Sequence, residues 1–236
     1  MKIALIGYGK MGKEIEKISL ARGHEVIFKI DKDSNIKNIS GAQVAINFCT
    51  PETALQNIEL GLKSSIPVVS GTTGWLSDLN KIQELSKKLN ISFLYSSNFS
   101  LGVNLFFDLN KKLAEIMKKH DQYDLNIEET HHVQKVDKPS GTAITLAEGI
   151  IENGKYNNWS MDNEKKSIPI ESKRIDNVPG THMVNYSSEL DSIEIKHIAK
   201  NRTGFALGAV IAAEWIVDKR GVFEMSDVIK DPNFKF

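Results

Sequence analysis

The chain has 236 residues, of which 41% are hydrophobic and 25% are charged, as in an ordinary globular protein. Thirty basic and thirty acidic residues cancel, so no net field attracts nucleic acid or an anionic membrane surface. The single cysteine, Cys49, excludes an internal disulfide, and no apolar run approaches the roughly 20 residues that a membrane span requires. Because the first predicted strand begins without a charged and apolar leader, we expect a cytoplasmic protein.

The N-terminal half alternates predicted strands with predicted helices. Short apolar runs followed by turn-forming residues indicate buried strands, and the segments between them carry apolar residues at helical spacing. This order is typical of an open, mostly parallel, doubly wound sheet, the Rossmann-type α/β fold. The predicted strands are Lys2–Ile6, Glu25–Ile30, Val44–Phe48, Pro67–Ser70 and Ile91–Tyr95.

A glycine-rich turn follows the first predicted strand. It has the spacing Gly-x-Gly-x-x-Gly, a helix follows it, and an acidic residue ends the second strand, which together match the dinucleotide-binding fingerprint. Glycine lets the backbone approach a pyrophosphate, and the acidic side chain can bond the adenosine ribose hydroxyls. The glycines would also suit an ordinary tight turn, but this context favours nucleotide binding by Gly7, Tyr8, Gly9, Lys10, Met11, Gly12 and Asp31.

The end of the second strand gives two opposing signals about the cofactor. Asp31 favours a free ribose 2′-hydroxyl, as in NADH, whereas Lys32 can pair with the 2′-phosphate of NADPH or simply be solvated. We predict NADH as the cofactor, with NADPH also possible.

Two further loops follow the fourth and fifth predicted strands. In doubly wound sheets ligands bind outside the carboxyl ends of the strands, so these small, polar loops are suited to bonding a nicotinamide amide through backbone groups. The alternative is that their residues only form turns. The candidate cofactor contacts are Gly71, Thr72, Thr73, Ser96, Ser97, Asn98 and Phe99.

The second half has a different pattern, which predicts a second α+β domain with a mixed sheet. A long amphipathic helix precedes a strand, a helix, a polar surface loop at Asn153–Lys166 and three more strands. We expect a final helix, Phe205–Val217, to return to the first domain. The predicted domains are residues 1–103 with 205–236 for dinucleotide binding, and 104–204 for substrate binding and oligomerisation. The remaining predicted elements are Gly102–Lys119, Tyr123–Glu129, Ile168–Ile175, Thr181–Ser188 and Ser192–Ile198.

The segment between the strand at 123–129 and the next helix concentrates acid/base groups beside a helix start. Two adjacent histidines, His131 and His132, precede Lys135, and Ser140 is a good N-cap after Pro139. The first turn of a helix offers backbone N–H groups and a positive dipole end to an anion. This arrangement predicts an active site for a small carboxylate or phosphate. A structural or metal role is the alternative for the histidines, but no carboxylate or cysteine pattern completes a metal site, so we predict no metal.

Motifs along most of the chain resemble the 4-hydroxy-tetrahydrodipicolinate reductase (dihydrodipicolinate reductase) family of bacterial lysine and diaminopimelate biosynthesis. The most specific is His-His-x-x-Lys with Pro-Ser-Gly-Thr-Ala shortly after it. The motifs that carry the resemblance, in the family's order, are Ile6–Gly12, Gly71–Gly74, Asn98–Asn104, His131–Thr142, Pro179–His182, Ile195–His197, Arg202–Ala206, Gly208–Val210 and Met225–Val228.

The resemblance implies a reaction and a role for each matched residue. In this family a nicotinamide hydride is added to a cyclic, unsaturated dicarboxylate, which gives tetrahydrodipicolinate. His131 and Lys135 correspond to the acid/base and proton-donating pair, and His132 to a substrate contact. Ser140, Gly141 and Thr142 correspond to a carboxylate site at the helix start. The family forms homotetramers through second-domain sheets, which implies the same for strands 168–198.

The chain departs from the family at positions that bear on the cofactor more than on the reaction. Many relatives have an extra glycine where Ile6 or Tyr8 lies here. Asn47 replaces a frequent aspartate, and Gln134 replaces a frequent basic residue. Ser96 and Ser97 replace alanine, and the 153–166 connection is short. Two alternatives stay open: a two-domain NAD(P)-dependent dehydrogenase of amino-acid semialdehydes or imino acids, and a non-catalytic NAD(H)-sensing protein. No basic helix-turn-helix pattern supports the latter.

Overall fold

The structure is a computed structural model that describes residues 1–31, 34–162, 164–201 and 203–233. The chain forms two compact units, Met1–Leu101 with Thr203–Phe236, and Gly102–Arg202. Lys32, which the sequence analysis assigned to the cofactor, lies outside the described residues. No helix in the described ranges is long and apolar enough to cross a membrane.

The first unit is built on a parallel six-stranded sheet. The strand order is β11-β5-β4-β3-β1-β2, and every strand pair is parallel. From β1 the sheet continues to β2 on one side and to β3 on the other. This reversal of the strand order is the switch point where doubly wound sheets bind ligands. The predicted Rossmann-type fold is confirmed. The strands are β1 (Lys2–Ile6), β2 (Glu25–Ile30), β3 (Val44–Asn47), β4 (Val68–Ser70), β5 (Phe93–Tyr95) and β11 (Val222–Glu224).

Helices cover both faces of this sheet and enclose two apolar cores. One core joins β1, β3 and β4 to a nearly all-apolar helix, α6, and the other packs α2 and α3 against the opposite face. Parallel strands buried on both faces need continuous apolar runs, as Ile3 to Ile6 show, since all four are 1% exposed or less. The helices are α1 (Lys10–Ala21), α2 (Pro51–Lys63), α3 (Leu79–Leu89), α6 (Thr203–Ile216) and α7 (Met225–Lys230), with a 3₁₀ turn at Leu76–Asp78.

The second unit contains a mixed five-stranded sheet, as predicted, in the order β10-β9-β6-β8-β7. The central strand β6 pairs antiparallel with β9 and parallel with β8, and α5 packs on the apolar face. Alternate residues of β6 are buried, which sets one row of its side chains into the unit. The elements are α4 (Leu101–Met117), β6 (Asp124–His131), α5 (Gly141–Asn153), β7 (Trp159–Ser160), β8 (Ile168–Arg174), β9 (Thr181–Ser187) and β10 (Ser192–Ile198).

The structure differs from the predicted secondary structure at three places that bear on the two sheets. The 153–166 segment is not only a surface loop, since Trp159–Ser160 forms β7 against β8. The C-terminal Val222–Glu224 forms an edge strand and Met225–Lys230 a short helix, neither of which was predicted. The strand β6 continues to His131, two residues beyond the predicted end. Each missed element is short or is formed by pairing with a distant strand, so local periodicity carries little signal for it.

Candidate active site

The glycine turn connects β1 to α1 with the close packing that the fingerprint requires. Gly7 has φ of +91°, and a Cβ there would lie 2.1 Å from the Phe48 carbonyl oxygen. A Cβ on Gly12 would lie 2.3 Å from the Gly7 carbonyl oxygen, whereas one on Gly9 would meet nothing within 4 Å. The backbone therefore packs tightly against β3 on one side and leaves open space at Gly9, the N-cap of α1. This cradle fits the pyrophosphate of a dinucleotide.

Tyr8 is held by α1 and β2. Its hydroxyl donates to Glu16, which also pairs with Lys29, and the Lys29 ammonium lies 5.2 Å from the centre of the Tyr8 ring. The hydrogen bond to Glu16 raises the pKa of Tyr8, and the bonds from Lys29 and Tyr8 lower that of Glu16. These contacts fix the tyrosine side chain at the turn.

A crevice of about 700 Å³ lies at the carboxyl ends of β1, β2 and β3. It combines the open glycine turn with the exposed Asp31 at the end of β2. Its size and mixed polar and apolar lining suit the adenosine half of a dinucleotide. The loop after β3 and the helix α2 also contribute to the crevice, which was not predicted because they have no motif of their own. The lining includes Gly7, Gly9, Asp31, Phe48, Thr50 and Gln56.

The two other loops predicted to bind the cofactor differ in how their side chains are used. In the first, Thr72 is buried and its hydroxyl accepts from the Cys49 backbone N–H at 3.0 Å, while Thr73 is exposed. A Cβ on Gly71 would lie 2.3 Å from the Phe48 ring. Asn47, also buried, donates to Ser70 at 3.0 Å, so its side chain packs inside the sheet.

In the second loop, internal hydrogen bonds fix the turn. The Ser96 hydroxyl donates to the Asn98 carbonyl at 2.7 Å, and the Asn98 side chain accepts from the Ser100 N–H at 2.9 Å. Phe99 is 2% exposed and packs 5.7 Å from the Phe48 ring. The Phe99 side chain belongs to the core, so only its backbone is suited to bonding a ligand. Ser97, in contrast, is exposed.

Glu129 is a buried carboxylate beside His131, and its role was not predicted from the sequence. Glu129 lies two residues earlier on β6, so both side chains point to the same face of the sheet, and the His131 Nδ1–H donates to Glu129 Oε2. Glu129 is fully buried. Burial opposes its ionisation, but hydrogen bonds from His131 and Arg174 lower its pKa to about 2. The bond orients the imidazole and places its Nε2 beside Gly180, where a Cβ would be 3.1 Å away.

Strand pairing brings a second histidine to this cluster. His182 on β9 is opposite Glu129, and its ring centre lies 5.0 Å from that of His131. Burial, together with the nearby His131, lowers the pKa of His182 to about 3, so it is neutral at physiological pH. Its Nε2 lies 3.0 Å from the Ser140 hydroxyl. A histidine is thereby connected directly to the N-cap of α5.

Ser140 caps α5 as predicted. Its backbone is extended, with φ of −66° and ψ of 152°, and its hydroxyl accepts from the Ala143 N–H at 3.2 Å. The preceding Lys138–Pro139 peptide is cis. The serine is only 2% exposed, whereas Gly141 is exposed and Thr142 is half-buried. A ligand at this helix start would therefore meet the exposed backbone of Gly141 more directly than the serine.

The remaining predicted residues lie on the turn after β6. The His132 Nδ1 is buried and has no hydrogen-bond partner among the described residues. The Lys135 ammonium pairs with the Asp137 carboxylate at 2.9 Å, a partner that the sequence analysis did not assign. The ion pair lowers the pKa of Asp137 against the opposing effect of burial. His132 and Lys135 belong to the same unit as His131, and the Lys135 ammonium can donate a proton or a hydrogen bond.

The Glu129 carboxylate also bears on whether the histidines could hold a metal ion. Donor atoms of Glu129, His131 and His182 lie within 4.8 Å of one another, so the statement that no carboxylate accompanies the histidines was wrong. Arg174 and His131 already hydrogen-bond to Glu129, and a cation beside a guanidinium is disfavoured. The absence of a metal stays a prediction.

Comparison with known proteins gives the family. Residues 1–99 match the family described as dihydrodipicolinate reductase, N-terminus, and residues 102–229 match dihydrodipicolinate reductase, C-terminus. The chain belongs to the dihydrodipicolinate reductase family. A family relative, the 4-hydroxy-tetrahydrodipicolinate reductase of Christiangramia forsetii, is 54% identical over 98% of both chains. That of Rickettsia rickettsii is 35% identical over 94% of this chain and 95% of its own.

A solved structure of the family supports the fold. The dipicolinate-bound dihydrodipicolinate reductase from Paenisporosarcina sp. TG-14 superposes with a TM-score of 0.76 over 96% of this chain and 98% of its own, at 22% identity. Membership of the dihydrodipicolinate reductase family confirms the resemblance drawn from the motifs. The individual site residues stay predictions.

Proposed function

We propose that the chain is an NAD(P)H-dependent 4-hydroxy-tetrahydrodipicolinate reductase of lysine and diaminopimelate biosynthesis. The observation that carries this proposal is His131, bonded to a buried carboxylate and in contact with His182, which is connected to the capped start of α5. An acid/base group beside an anion-binding helix start suits a substrate with carboxylates. Full-length similarity to a protein named for this activity supports the same reaction.

The reaction divides between the cofactor and the side chains of the second unit. The 4-hydroxyl leaves as water together with a hydrogen of an adjacent ring carbon, which gives a conjugated ring, and a bound nicotinamide cofactor would supply a hydride to that ring. Negative charge develops on the conjugated ring, and a proton must neutralise it. His131 and Lys135 donate or relay this proton. His132 bonds a substrate carboxylate, as do Ser140, Gly141 and Thr142 at the start of α5.

We assign NADH as the preferred cofactor, with NADPH also accepted. The exposed Asp31 lines the crevice beside the glycine turn, where a carboxylate would bond the ribose hydroxyls and repel a 2′-phosphate. Lys32, adjacent in sequence, would pair with that phosphate, which explains tolerance of NADPH.

Steady-state kinetics with both cofactors tests the proposal. The substrate is generated in the assay from aspartate semialdehyde and pyruvate, and cofactor oxidation is followed by absorbance. We expect turnover with both and a higher kcat/KM with NADH. Turnover only of another semialdehyde or imino acid would favour a related dehydrogenase, and NADH binding without a ternary complex with a planar dicarboxylate would favour a sensor.

We also propose a homotetramer that forms through the second-unit sheet, in a cytoplasmic enzyme. The outer strand β10 carries side chains that are exposed or half-buried throughout, including Ile193 at 39% and Ile198 at 60%. Apolar side chains on an edge strand are typical of a surface that another chain covers. Light scattering that gives the mass of one chain would contradict this assignment.

A further inference from the structure

Arg174, at the end of β8, makes more hydrogen bonds than an ordinary ion pair requires. Its Nη1 donates to Glu129 Oε1 at 2.9 Å and to the Lys173 carbonyl at 2.7 Å. Its Nε donates to the Lys135 carbonyl at 3.2 Å, and its Nη2 to the Asp137 carbonyl at 2.6 Å. The side chain is only 9% exposed. One planar group thus joins the carboxylate behind His131 to the backbone of the turn that carries Lys135.

Strand register explains why this arginine reaches both groups. In the β6–β8 pairing His131 is opposite Arg174, and Glu129 is opposite Ser172. Glu129, His131 and Arg174 therefore point to one face of the sheet. The turn after β6 passes over the end of β8, where its carbonyl groups meet the guanidinium.

Stability alone is a weak explanation for this arrangement. A buried ion pair gains little over well-packed apolar residues of similar volume, because both charges lose their hydration. The position of the guanidinium gives it a different consequence. By bonding Glu129 Oε1 it leaves Oε2 for His131, and by bonding two carbonyls it fixes the segment from Lys135 to Asp137.

We propose that Arg174 is a positioning residue that sets His131, through Glu129, and Lys135, through its carbonyl, in one fixed geometry. The inference rests on the proposed function of His131 and Lys135. Arg174 acts through other residues and does not itself touch the substrate. Its rigid, planar fork of donors is what the role requires, since a lysine ammonium on a flexible stem cannot satisfy a carboxylate and two carbonyls at once.

The first test replaces Arg174 and measures turnover and cofactor binding separately. We expect Arg174→Lys, which keeps the charge but loses the fork, and Arg174→Met each to lower kcat about 100-fold, the size of effect that misplacement by about 1 Å produces. The dissociation constant for NADH, a property of the first unit, should change less than twofold. If Arg174→Met fails to fold, Arg174→Lys, which keeps a cation beside the Glu129 carboxylate, is used in its place.

The adjacent pair on the same two strands provides a matched control. Lys173 pairs with Glu128 at 3.0 Å, one position earlier on β8 and β6 and on the opposite face of the sheet, where both side chains are partly exposed. Lys173→Met should retain kcat within about twofold, since exposed pairs contribute little. Each variant is checked for its oligomeric mass. Equal losses in Lys173→Met and Arg174→Met would overturn the proposal, as would near-normal kcat in Arg174→Lys.

A second readout separates positioning from a purely structural role and from the proposed reaction. Imidazole ¹⁵N and ¹H NMR should show a strongly hydrogen-bonded His131 Nδ1–H in the wild type and its loss or shift in Arg174→Met. Added guanidinium at non-denaturing concentration should restore part of the kcat of Arg174→Ala. An unchanged His131 signal in a well-folded variant would overturn the role of Arg174. A wild type inactive on the coupled substrate would overturn the reaction only, because the NMR signal needs no turnover.

Discussion

The crevice of the first unit, which we propose to hold the cofactor, and the histidine cluster of the second unit are built in opposite ways. In the crevice the glycine turn acts through its backbone: Gly7 and Gly9 lie in one turn of the chain, and the absence of a Cβ leaves the space there open. The cluster is made of side chains from three strands, in which Glu129, Arg174 and His182 meet through strand register. A local, backbone-built site fails through steric conflict, whereas a cluster assembled from distant strands fails when one partner is lost.

The largest effect should come from the cluster, in Lys135→Ala. If Lys135 donates the proton as proposed, its loss should lower kcat about 1,000-fold, while NADH affinity, which we assign to the first unit, is retained. Stopped-flow turnover and NADH fluorescence titration measure the two effects. Lys138→Ala, in the same exposed turn, is the control and should be nearly normal. Near-normal turnover of Lys135→Ala would remove that residue from the mechanism.

The backbone-built site is tested by Gly7→Ala against Gly23→Ala. Both glycines have positive φ, +91° and +78°, but only at Gly7 does a Cβ meet the Phe48 carbonyl, since Gly23 has nothing within 4 Å. We expect Gly23→Ala to cost about 1 kcal/mol of unfolding free energy from backbone strain, and Gly7→Ala about 4 kcal/mol from strain and overlap together. Urea unfolding measures both. Equal losses would show that close approach to Phe48 contributes nothing.

Acid should destabilise the cluster through His182. The unfolded histidine binds a proton near pH 6.5, but the folded one does so only near pH 3, so stability falls as the pH drops between these values. The slope is about 1.4 kcal/mol per pH unit. Glu129 adds a loss only below about pH 4.5, as the pH falls toward its folded value of about 2. Urea unfolding measures the pH dependence of the free energy of unfolding. Between pH 6.5 and 4.5, His182→Gln should flatten this dependence, whereas His120→Gln, at an exposed histidine, should not.

The smallest effect is expected at Gly180→Ala, which adds one carbon 3.1 Å from His131 Nε2. The imidazole must move by a few tenths of an ångström, since Glu129 holds its other nitrogen. We expect kcat to fall about fivefold, well under the loss for a full misplacement, and the free energy of unfolding to fall by about 1 kcal/mol, because Gly180 has φ of +159°. A crystal structure of the variant would show the displaced ring. An unaltered kcat would mean that Nε2 needs no open space on this side.

The two sites also differ in how far the sequence predicted them. The glycine turn, Asp31 and the N-cap at Ser140 are local patterns, and the structure places Gly7, Gly9 and Asp31 around one crevice. His131 and Lys135 were assigned from their motif, but Glu129 was interpreted only as part of a strand. Arg174 was likewise interpreted only as part of a strand, and no partner was predicted for Asp137. Their partners lie from two to dozens of residues away, beyond any local pattern.

By itself, the sequence determined the alternation of strands and helices, the dinucleotide turn and the family, because apolar periodicity and glycine spacing act through neighbours along the chain. Only the tertiary structure determines which charged side chains lie beside His131. The register of β6 with β8 and β9 sets Glu129, Arg174 and His182 on one face. A shift of that register by one residue would turn these side chains to opposite faces. The sequence motif indicates the acid/base residues, whereas strand pairing determines which charged side chains surround them.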